Sequence, residues 1–237
     1  MRIWNDTKER ALIILTAISL FLWAASEIRP SVICSLKDTV AEQVLSSNTL
    51  KNIVSGLSAG IVSAYIFYVF IDLIPRNRKE RKIKELLSTL IASILDSHKR
   101  CKVFGHETSL SNINKDCLEQ HWLISEIEKL KTNESNFSSL KFSMQTAHSR
   151  LDDFRNTLPL AISLSPDHAL RWLELTDKVR LLAENYEKQP EIPIENIDLL
   201  ESTGNPAGDY KSTLNFRLLE LIEQSLIWLY PENHTHG

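Results

Sequence analysis

Three histidines and two cysteines lie close together near the middle of the chain, and both residue types bind metal ions. They are His98, Cys101, His106, Cys117 and His121, which fall within 24 residues. Zinc takes four nitrogen or sulfur ligands in a tetrahedral arrangement. Cys117 and His121 are four residues apart, which places two side chains on one face of a helix. A structural zinc ion held by His98, Cys101, Cys117 and His121 is therefore one hypothesis.

The alternative is that these residues have structural roles of their own. Their spacing matches no standard zinc finger, and Cys117 also fits an apolar helical stripe. The sequence therefore predicts neither a bound metal nor another cofactor. With only three cysteines in the chain, a disulfide framework is not expected.

The chain lacks the short motifs of common active sites. It contains no phosphate-binding glycine loop, no dinucleotide-binding fingerprint, no nucleophile elbow and no H-E-x-x-H pair. Asp152 and Asp153 are adjacent, but consecutive helical residues point about 100° apart, so only one carboxylate can face a given site. We predict that both lie on a solvated surface and that the protein is not an enzyme. The remaining enzymatic alternative is an unfamiliar helical site built on the His/Cys cluster.

Two apolar segments precede this region and predict two transmembrane helices. Residues 11–26 contain 16 positions without a charge, and residues 52–71 contain 20. A helix rises about 1.5 Å per residue and the hydrocarbon core is about 30 Å thick. We place the spans at 11–26 and 52–74. Small residues at 24–26 also suit cleavage of a signal peptide, but the length and the flanking charges favour an uncleaved anchor.

A cluster of basic residues follows the second span and predicts how the chain is oriented. Segment 27–51 carries only three basic residues, whereas six occur within nine positions just after the span. By the positive-inside rule, residues 1–10 and 75–230 are cytoplasmic and 27–51 is a loop on the opposite side of the membrane. Residues 231–237 form a tail. The basic residues are Arg76, Arg78, Lys79, Arg81, Lys82 and Lys84.

The same basic residues suit contact with anionic lipid headgroups. The alternative is contact with a nucleic-acid backbone. No aromatic residues interleave the cluster to stack on bases, and the chain as a whole has a net charge of −3. Direct binding of nucleic acid is therefore not expected, and the lipid bilayer is the predicted partner.

Small residues form a strip on the second predicted span. One ridge consists of Gly56, Gly60 and Ala64, and four-residue spacing places them on one helix face. A neighbouring ridge consists of Ser55, Ala59 and Ser63. Such a strip lets another helix approach closely in lipid. The partner helix is either the first span of the same chain or a second copy, which would make the protein a homo-oligomer.

Apolar residues recur at helical spacing through the rest of the chain and predict a bundle of about five helices. The second span is predicted to continue into a stalk that is kinked near Pro75. Further helices are predicted over 112–131, 136–157, 165–188 and 210–230. Residues 189–209 contain three prolines and two glycines and are predicted to be a loop. The fold class is therefore all-α. The predicted inward residues include Ile113, Cys117, Ile124, Ile127, Leu130, Leu170, Leu173, Leu182 and Tyr186.

The order of these parts from 11 to 84 resembles the two-transmembrane effector proteins of bacterial anti-phage systems, including those encoded beside retron reverse transcriptases. The resemblance is one of architecture and rests on no shared motif. It implies an antiviral effector of the bacterial inner membrane, with 27–51 as a periplasmic loop. It also implies that a complex of reverse transcriptase and RNA–DNA hybrid restrains this effector. After release, such an effector damages the membrane and stops growth of the infected cell. The alternative is a membrane-anchored adaptor or sensor whose helical domain docks a cytoplasmic protein.

Overall fold

The computed structural model describes residues 7–28, 48–101, 109–189 and 206–231. These residues form helices joined by turns, and none of them lies in a β-strand. The all-α class is thus confirmed for the part of the chain that is described. The chain divides into two compact units, Met1–Lys79 and Glu80–Gly237, and the boundary falls inside a helix.

The N-terminal unit contains a pair of helices that contact each other. Helix α1 covers Thr7–Ile28 and helix α2 covers Asn48–Tyr68, and both are rich in apolar residues. Within the described residues, one uninterrupted helical stretch, Asn52–Arg100, is long and apolar enough to cross a membrane. Most of the periplasmic loop assigned to 27–51 lies outside the described residues, as do residues 1–6. The two-pass topology stays a prediction.

A π-helical turn precedes Pro75. Residues Val69–Leu73 form this turn, and helix α3 continues over Ile74–Arg100. The N–H of Ile74 donates to the carbonyl of Val69, five residues earlier. Proline lacks an N–H and its ring crowds the carbonyl four residues before it. The wider π turn leaves room for the proline ring within a continuous helical stretch. The kink predicted near Pro75 stays a prediction.

The C-terminal unit continues with short 3₁₀ turns and further α-helices. Two of the predicted helix starts are confirmed by their caps. The Asn136 side chain accepts a hydrogen bond from the Ser138 N–H at 2.9 Å. Ser165 Oγ accepts from the His168 N–H at 3.2 Å, with Pro166 in the first turn. The elements are 3₁₀ turns Leu110–Asn112 and Lys115–Leu118 and helices α4 Gln120–Lys131, α5 Phe137–Asn156, α6 Leu158–Leu164, α7 Pro166–Ala183 and α8 Pro206–Leu229.

Several predicted boundaries were wrong. The helix expected over 112–131 begins only at Gln120, because the Asn114 side chain bonds the Asp116 N–H at 2.9 Å and favours a turn. Pro159 does not merely end helix α5, because it lies in the first turn of the short helix α6. Helix α7 ends at Ala183 rather than 188.

The last helix and the loop before it also differ from expectation. Helix α8 begins at Pro206, four residues before the predicted start, and a proline is well suited to a first helical turn. Of the predicted loop 189–209, residues 190–205 lie outside the described part, as do tail residues 232–237.

Aromatic side chains from three helices form the centre of the C-terminal unit. The Trp172 ring is fully buried and stacks on Phe154, with ring centroids 5.3 Å apart and planes 11° apart. Trp228 lies against the same indole at 5.1 Å. Trp172 Nε1 donates a hydrogen bond to the Phe154 carbonyl at 3.1 Å. Helices α5, α7 and α8 are thereby joined, and the polar atom of the buried indole has a partner.

Some predicted inward residues lie on the surface. Leu170 and Leu173 of helix α7 are exposed, whereas Trp172 and Leu175 are fully buried. In helix α4 the buried face is likewise displaced from the predicted one, because Ile124 is exposed and its neighbour Leu123 is buried. Tyr186 is exposed as well, beyond the end of helix α7. Of the remaining inward predictions, Ile113, Cys117, Leu130 and Leu182 are buried and Ile127 is half-buried.

Candidate functional site

The helix pair of the N-terminal unit buries polar side chains. Between residues 7 and 24 of helix α1 the buried side chains are Glu9, Thr16 and Ser19, and Ser58 is buried on helix α2. Thr16 Oγ1 donates to the carbonyl of Leu12 at 2.8 Å, so its hydroxyl is satisfied within its own helix. Small hydroxyl residues at a helix interface allow close packing where lipid supplies no hydrophobic driving force.

The outer surface of the same helix pair is apolar. In water this arrangement would leave large hydrocarbon side chains exposed, at a cost of about 25 cal/mol for each Å². In a bilayer those side chains match their surroundings, and the polar groups belong inside. The exposed large hydrophobic residues of this unit are, in the pair, Leu12, Ile14, Leu15, Ile18, Leu20, Phe21, Leu22, Trp23, Ile53, Leu57, Ile66 and Phe67 and, in the π turn, Phe70 and Ile71.

A carboxylate at the start of helix α1 meets an arginine beyond the π turn. The Glu9 side chain is 5% exposed, and its Oε1 pairs with Nη2 of Arg76. The Tyr68 hydroxyl donates to the same carboxylate oxygen at 3.4 Å. Asp72 Oδ2 lies 3.8 Å from Arg76 Nη1. Glu9 was not among the predicted site residues, and the available signal was an acidic side chain within one turn of a predicted span.

The strip of small residues lies outside the contact between helices α1 and α2. Gly56, Gly60 and Ala64 are exposed, and so are Ala59 and Ser63. Ser55 alone among the six strip residues is half-buried, at the margin of the contact. A Cβ added to Gly56 or Gly60 meets no atom within 4 Å. Neither glycine is therefore required for the packing of this helix pair.

The six basic residues after the second predicted span are exposed, but they do not share one role. Arg76 contacts Glu9 and Asp72 of its own chain. The side chains of Arg78, Lys79, Arg81, Lys82 and Lys84 are exposed, whereas Ile83 between them is buried. Arg76, although predicted to contact headgroups, thus has structural partners inside the N-terminal unit.

The histidines and cysteines near the middle of the chain have separate surroundings. His98 is buried with Nε2 2.9 Å from Glu126 Oε1, Cys117 is buried, and His121 is 80% exposed beside Glu119. Cys101 ends helix α3 with a left-handed backbone, φ 45°. His106 lies outside the described residues. Where the chain is described, no three His, Cys, Asp or Glu side chains are grouped so that they could hold a metal ion.

Cys117 is placed as a buried structural thiol. Its Sγ lies 3.2 Å from the Asn114 carbonyl oxygen and 3.7 Å from the Ala92 carbonyl oxygen. Either oxygen can accept a hydrogen bond from the thiol. Burial, with the charge of Asp96, raises the pKa of Cys117 to about 12. The thiolate is the reactive form, so this environment suppresses reactivity.

We expect iodoacetamide to spare Cys117 in the folded protein at pH 8. A pKa near 12 leaves on the order of one thousandth of the thiolate present in a free cysteine, so modification should slow by at least 100-fold. Peptide mass spectrometry would compare it with the half-buried Cys101 of the same chain. Equal labelling rates for both cysteines would contradict the buried placement.

His98, Glu126 and Lys129 form a polar contact between helices α3 and α4. Glu126 Oε1 meets His98 Nε2 at 2.9 Å, and its Oε2 accepts from Lys129 Nζ at 3.0 Å. Burial by itself raises the pKa of Glu126. The hydrogen bonds and charges of His98 and Lys129 lower that pKa further than burial raises it, so the net shift is downward.

This contact predicts a loss of stability in acid. A carboxyl whose pKa is lowered by folding contributes stability above its unfolded pKa, and the contribution is lost as pH falls through the folded value. We expect wild type to lose more unfolding free energy than Glu126→Gln between about pH 5 and pH 3. Urea unfolding of the full chain in detergent at each pH measures this. The exposed Glu128→Gln on the same helix should behave as wild type.

The adjacent acids 152 and 153 lie on helix α5 and pair with arginines of that helix. Asp152 is 84% exposed and its Oδ1 lies 3.3 Å from Arg155 Nη1. Asp153 is about half exposed and its Oδ2 lies 3.2 Å from Arg150 Nη1. The arrangement is that of surface ion pairs, which contribute little to stability.

Comparison of the chain with known protein families, with characterised proteins and with solved structures found no match.

Proposed function

We propose that this protein is a non-enzymatic membrane effector whose helix pair self-associates and perturbs the bilayer. The observation that carries the proposal is the exposed Gly56/Gly60/Ala64 ridge on an apolar surface that faces away from helix α1. In lipid, a smooth ridge of small residues favours close packing with another helix. A second copy of the chain presents the same ridge and can pack on it symmetrically.

The proposed topology has two spans, 11–26 and 52–74, with the N-terminus and the helical unit in the cytoplasm of a bacterium. The reversal of polarity in the helix pair supports this placement, because polar residues are buried and large apolar residues are exposed. The exposed residues Arg78, Lys79, Arg81, Lys82 and Lys84 then face anionic lipid headgroups.

The proposed biological setting is an anti-phage system in which a partner complex restrains the effector until infection. A restraining complex of reverse transcriptase and RNA–DNA hybrid is part of this proposal. The helical unit has its own core, and exposed acids such as Glu128 and Asp152 suit a basic protein surface of that complex. Release would then allow the helix pairs of several chains to assemble and stop cell growth.

Membrane potential after induction of this protein alone in bacteria tests the proposal. We expect a voltage-sensitive dye to report depolarisation with wild type and a normal potential with Gly60→Ile at matched expression. A Cβ added at residue 60 meets no neighbouring atom within 4 Å and the position is exposed, so we attribute an effect of the substitution to contacts between chains. Depolarisation by Gly60→Ile equal to wild type would contradict assembly through the ridge.

A matched control uses the opposite face of the same helix. Ser58→Ile places the same isoleucine side chain where helix α1 packs, because Ser58 is buried on the contact side of helix α2. It should disturb the helix pair itself and lower the amount of protein in the membrane. Gly60→Ile should instead insert normally, which membrane fractionation would verify.

The second candidate function is an anchored adaptor whose helical unit docks a cytoplasmic protein. The observation in its favour is the exposure of Ile162, Leu170 and Leu173 on helices α6 and α7, which the core leaves unused. This function predicts that the spans can be exchanged for an unrelated anchor without loss of phenotype. The effector function predicts that the exchange abolishes depolarisation.

A further inference from the structure

The π turn between helices α2 and α3 changes which residues continue the buried row of helix α2. Ser58 is buried on the side that contacts helix α1, and Tyr65, about two turns later, is half-buried. A regular α-helix would place Asp72 next in this row, because seven residues make about two turns. Instead Leu73 is buried, and the Asp72 side chain is 55% exposed. The π turn Val69–Leu73 therefore takes up one residue and brings a leucine into the row in place of a carboxylate.

The same added residue aligns two side chains that meet Glu9 of helix α1. The Tyr68 hydroxyl donates to Glu9 Oε1 at 3.4 Å, and Nη2 of Arg76 pairs with the same oxygen. Tyr68 and Arg76 are eight residues apart, which in a regular α-helix puts their directions about 80° apart. With one residue taken up by the π turn, the separation is that of seven helical residues, or about 20°. Both donors thus lie on one edge of the helix and reach a carboxylate that is only 5% exposed.

Pro75 favours the π turn over a regular helix. Inside an α-helix its ring would crowd the carbonyl of Ile71, four residues earlier, which disfavours that conformation by on the order of 100-fold. In the π turn the Ile74 N–H donates to the Val69 carbonyl, five residues earlier, so the backbone is wider just before the proline. The residues that flank the turn are themselves helical, with φ −56° and ψ −46° at Tyr68 and φ −67° and ψ −49° at Ile74. A regular helix is therefore a neighbouring conformation of the same segment.

We propose that the π turn is a register switch of the helix pair and that the π register is the state competent for assembly. Conversion to a regular helix would turn Ile74–Lys79 about 100° around the helix axis. Pro75 would then take the place of Arg76 beside Glu9, and Asp72 would enter the buried row. A buried carboxylate that loses its cation weakens the contact between helices α1 and α2, and a second carboxylate in the row weakens it further.

The inference rests on the proposed function for its consequence, which is that a pair loosened at this end no longer assembles through the ridge. Helix α3 is continuous with the C-terminal unit, which gives a signal there a covalent route to the turn. Packed helices change between discrete arrangements in known switching proteins, and register shifts are among those changes. The π turn would thus regulate the ridge without forming part of it.

Pulsed EPR distances in nanodiscs test the register. One spin label is attached at Leu12→Cys, an exposed site on helix α1, and the other at Arg78→Cys or Lys79→Cys, in a chain whose native cysteines are serines. Successive positions point about 100° apart, so a turn of the helix changes at least one of the two distances by roughly 5–10 Å. We expect Pro75→Ala to show this change, because loss of the ring favours the regular helix by up to about 100-fold. Unchanged distances at both positions would overturn the inference.

A second variant restores the alignment without a π turn. It combines Pro75→Ala with deletion of Ile71, whose side chain is 73% exposed, so that Tyr68 and Arg76 are seven residues apart in a regular helix. We expect both distances to return to the wild-type values, which a general loss of structure in Pro75→Ala would not allow. Distances that stay changed would overturn the inference. Asn77→Ala, at an exposed position two residues after the proline, is the control and should keep both wild-type distances.

Membrane potential separates this inference from the proposed function. We expect Pro75→Ala to depolarise less than wild type at matched expression, and the variant that also lacks Ile71 to depolarise as wild type does. The expected distance changes, with a normal potential in every variant and in wild type, would uphold the register switch and overturn the effector function. Depolarisation that requires Gly60 but is equal in wild type and Pro75→Ala would overturn the register switch and leave the effector function in place.

Discussion

Trp172→Ala should lower the unfolding free energy of the helical unit by about 3–5 kcal/mol. The side chain is fully buried, and its removal leaves Phe154 without its stacked partner and Trp228 without the neighbouring ring. It also leaves the Phe154 carbonyl without the hydrogen bond from Nε1. A loss of this size is a large fraction of the total stability of an ordinary domain. Urea unfolding of the full chain in detergent, followed by circular dichroism, measures the change.

Two further variants separate packing from hydrogen bonding in this core. Trp172→Phe keeps an aromatic ring against Phe154 but lacks the N–H, so we expect it to lose less stability than the alanine variant. Leu173→Ala, next in the chain and half exposed, should change the unfolding free energy by less than about 1 kcal/mol. Equal losses for Leu173→Ala and Trp172→Ala would contradict the register of helix α7.

Arg76→Ala should weaken the helix pair of the N-terminal unit by about 3 kcal/mol, near the lower end of the range for broken buried ion pairs. The Glu9 side chain is only 5% exposed, and the substitution removes the guanidinium group that pairs with its carboxylate. We take the lower end of that free-energy range because the Arg76 side chain is about half exposed, so water already screens part of its attraction to Glu9. Glu9→Gln should cost less, because a neutral amide is easier to bury than a carboxylate.

Energy transfer between dyes on the two helices measures this effect. Cysteines at positions 15 and 57, where Leu15 and Leu57 are exposed, carry the dyes in a chain whose native cysteines are serines. We expect transfer to be lost at a lower denaturant concentration in Arg76→Ala than in wild type. The charge swap Glu9→Arg with Arg76→Glu should regain part of the loss. Removal of the Lys79 side chain, which is exposed in the same basic run, should leave the transition unchanged.

The amino-acid sequence by itself determined the helical class and several element boundaries, because these depend on local chemistry. Helix α5 begins after the Asn136 cap and helix α7 after Ser165 with Pro166 in the first turn, as predicted. The long apolar stretch from residue 52 is likewise visible without a structure, since length and composition suffice. Each of these features depends on residues that are neighbours in the chain.

Local competition between turn and helix was harder to predict. The Asn114 side chain diverts the backbone into a 3₁₀ turn, although the apolar residues 113 and 117 fit a helical stripe. Pro159 was interpreted as a stop, yet it occupies the first turn of a new helix. In both places one side chain decides the backbone conformation against the apolar periodicity. Asn114 supplies an acceptor for a backbone N–H, and Pro159 lacks a backbone N–H to donate.

Only the tertiary structure decided which face of each helix is buried and which distant charges meet. Helix α7 carries two overlapping apolar stripes, and the rings of Phe154 and Trp228 select the one with Trp172 over the one with Leu170 and Leu173. The contact of Glu9 with Arg76 joins residues 67 positions apart. Burial and ion pairing over such separations depend on how the helices pack, and helical periodicity alone does not specify that packing.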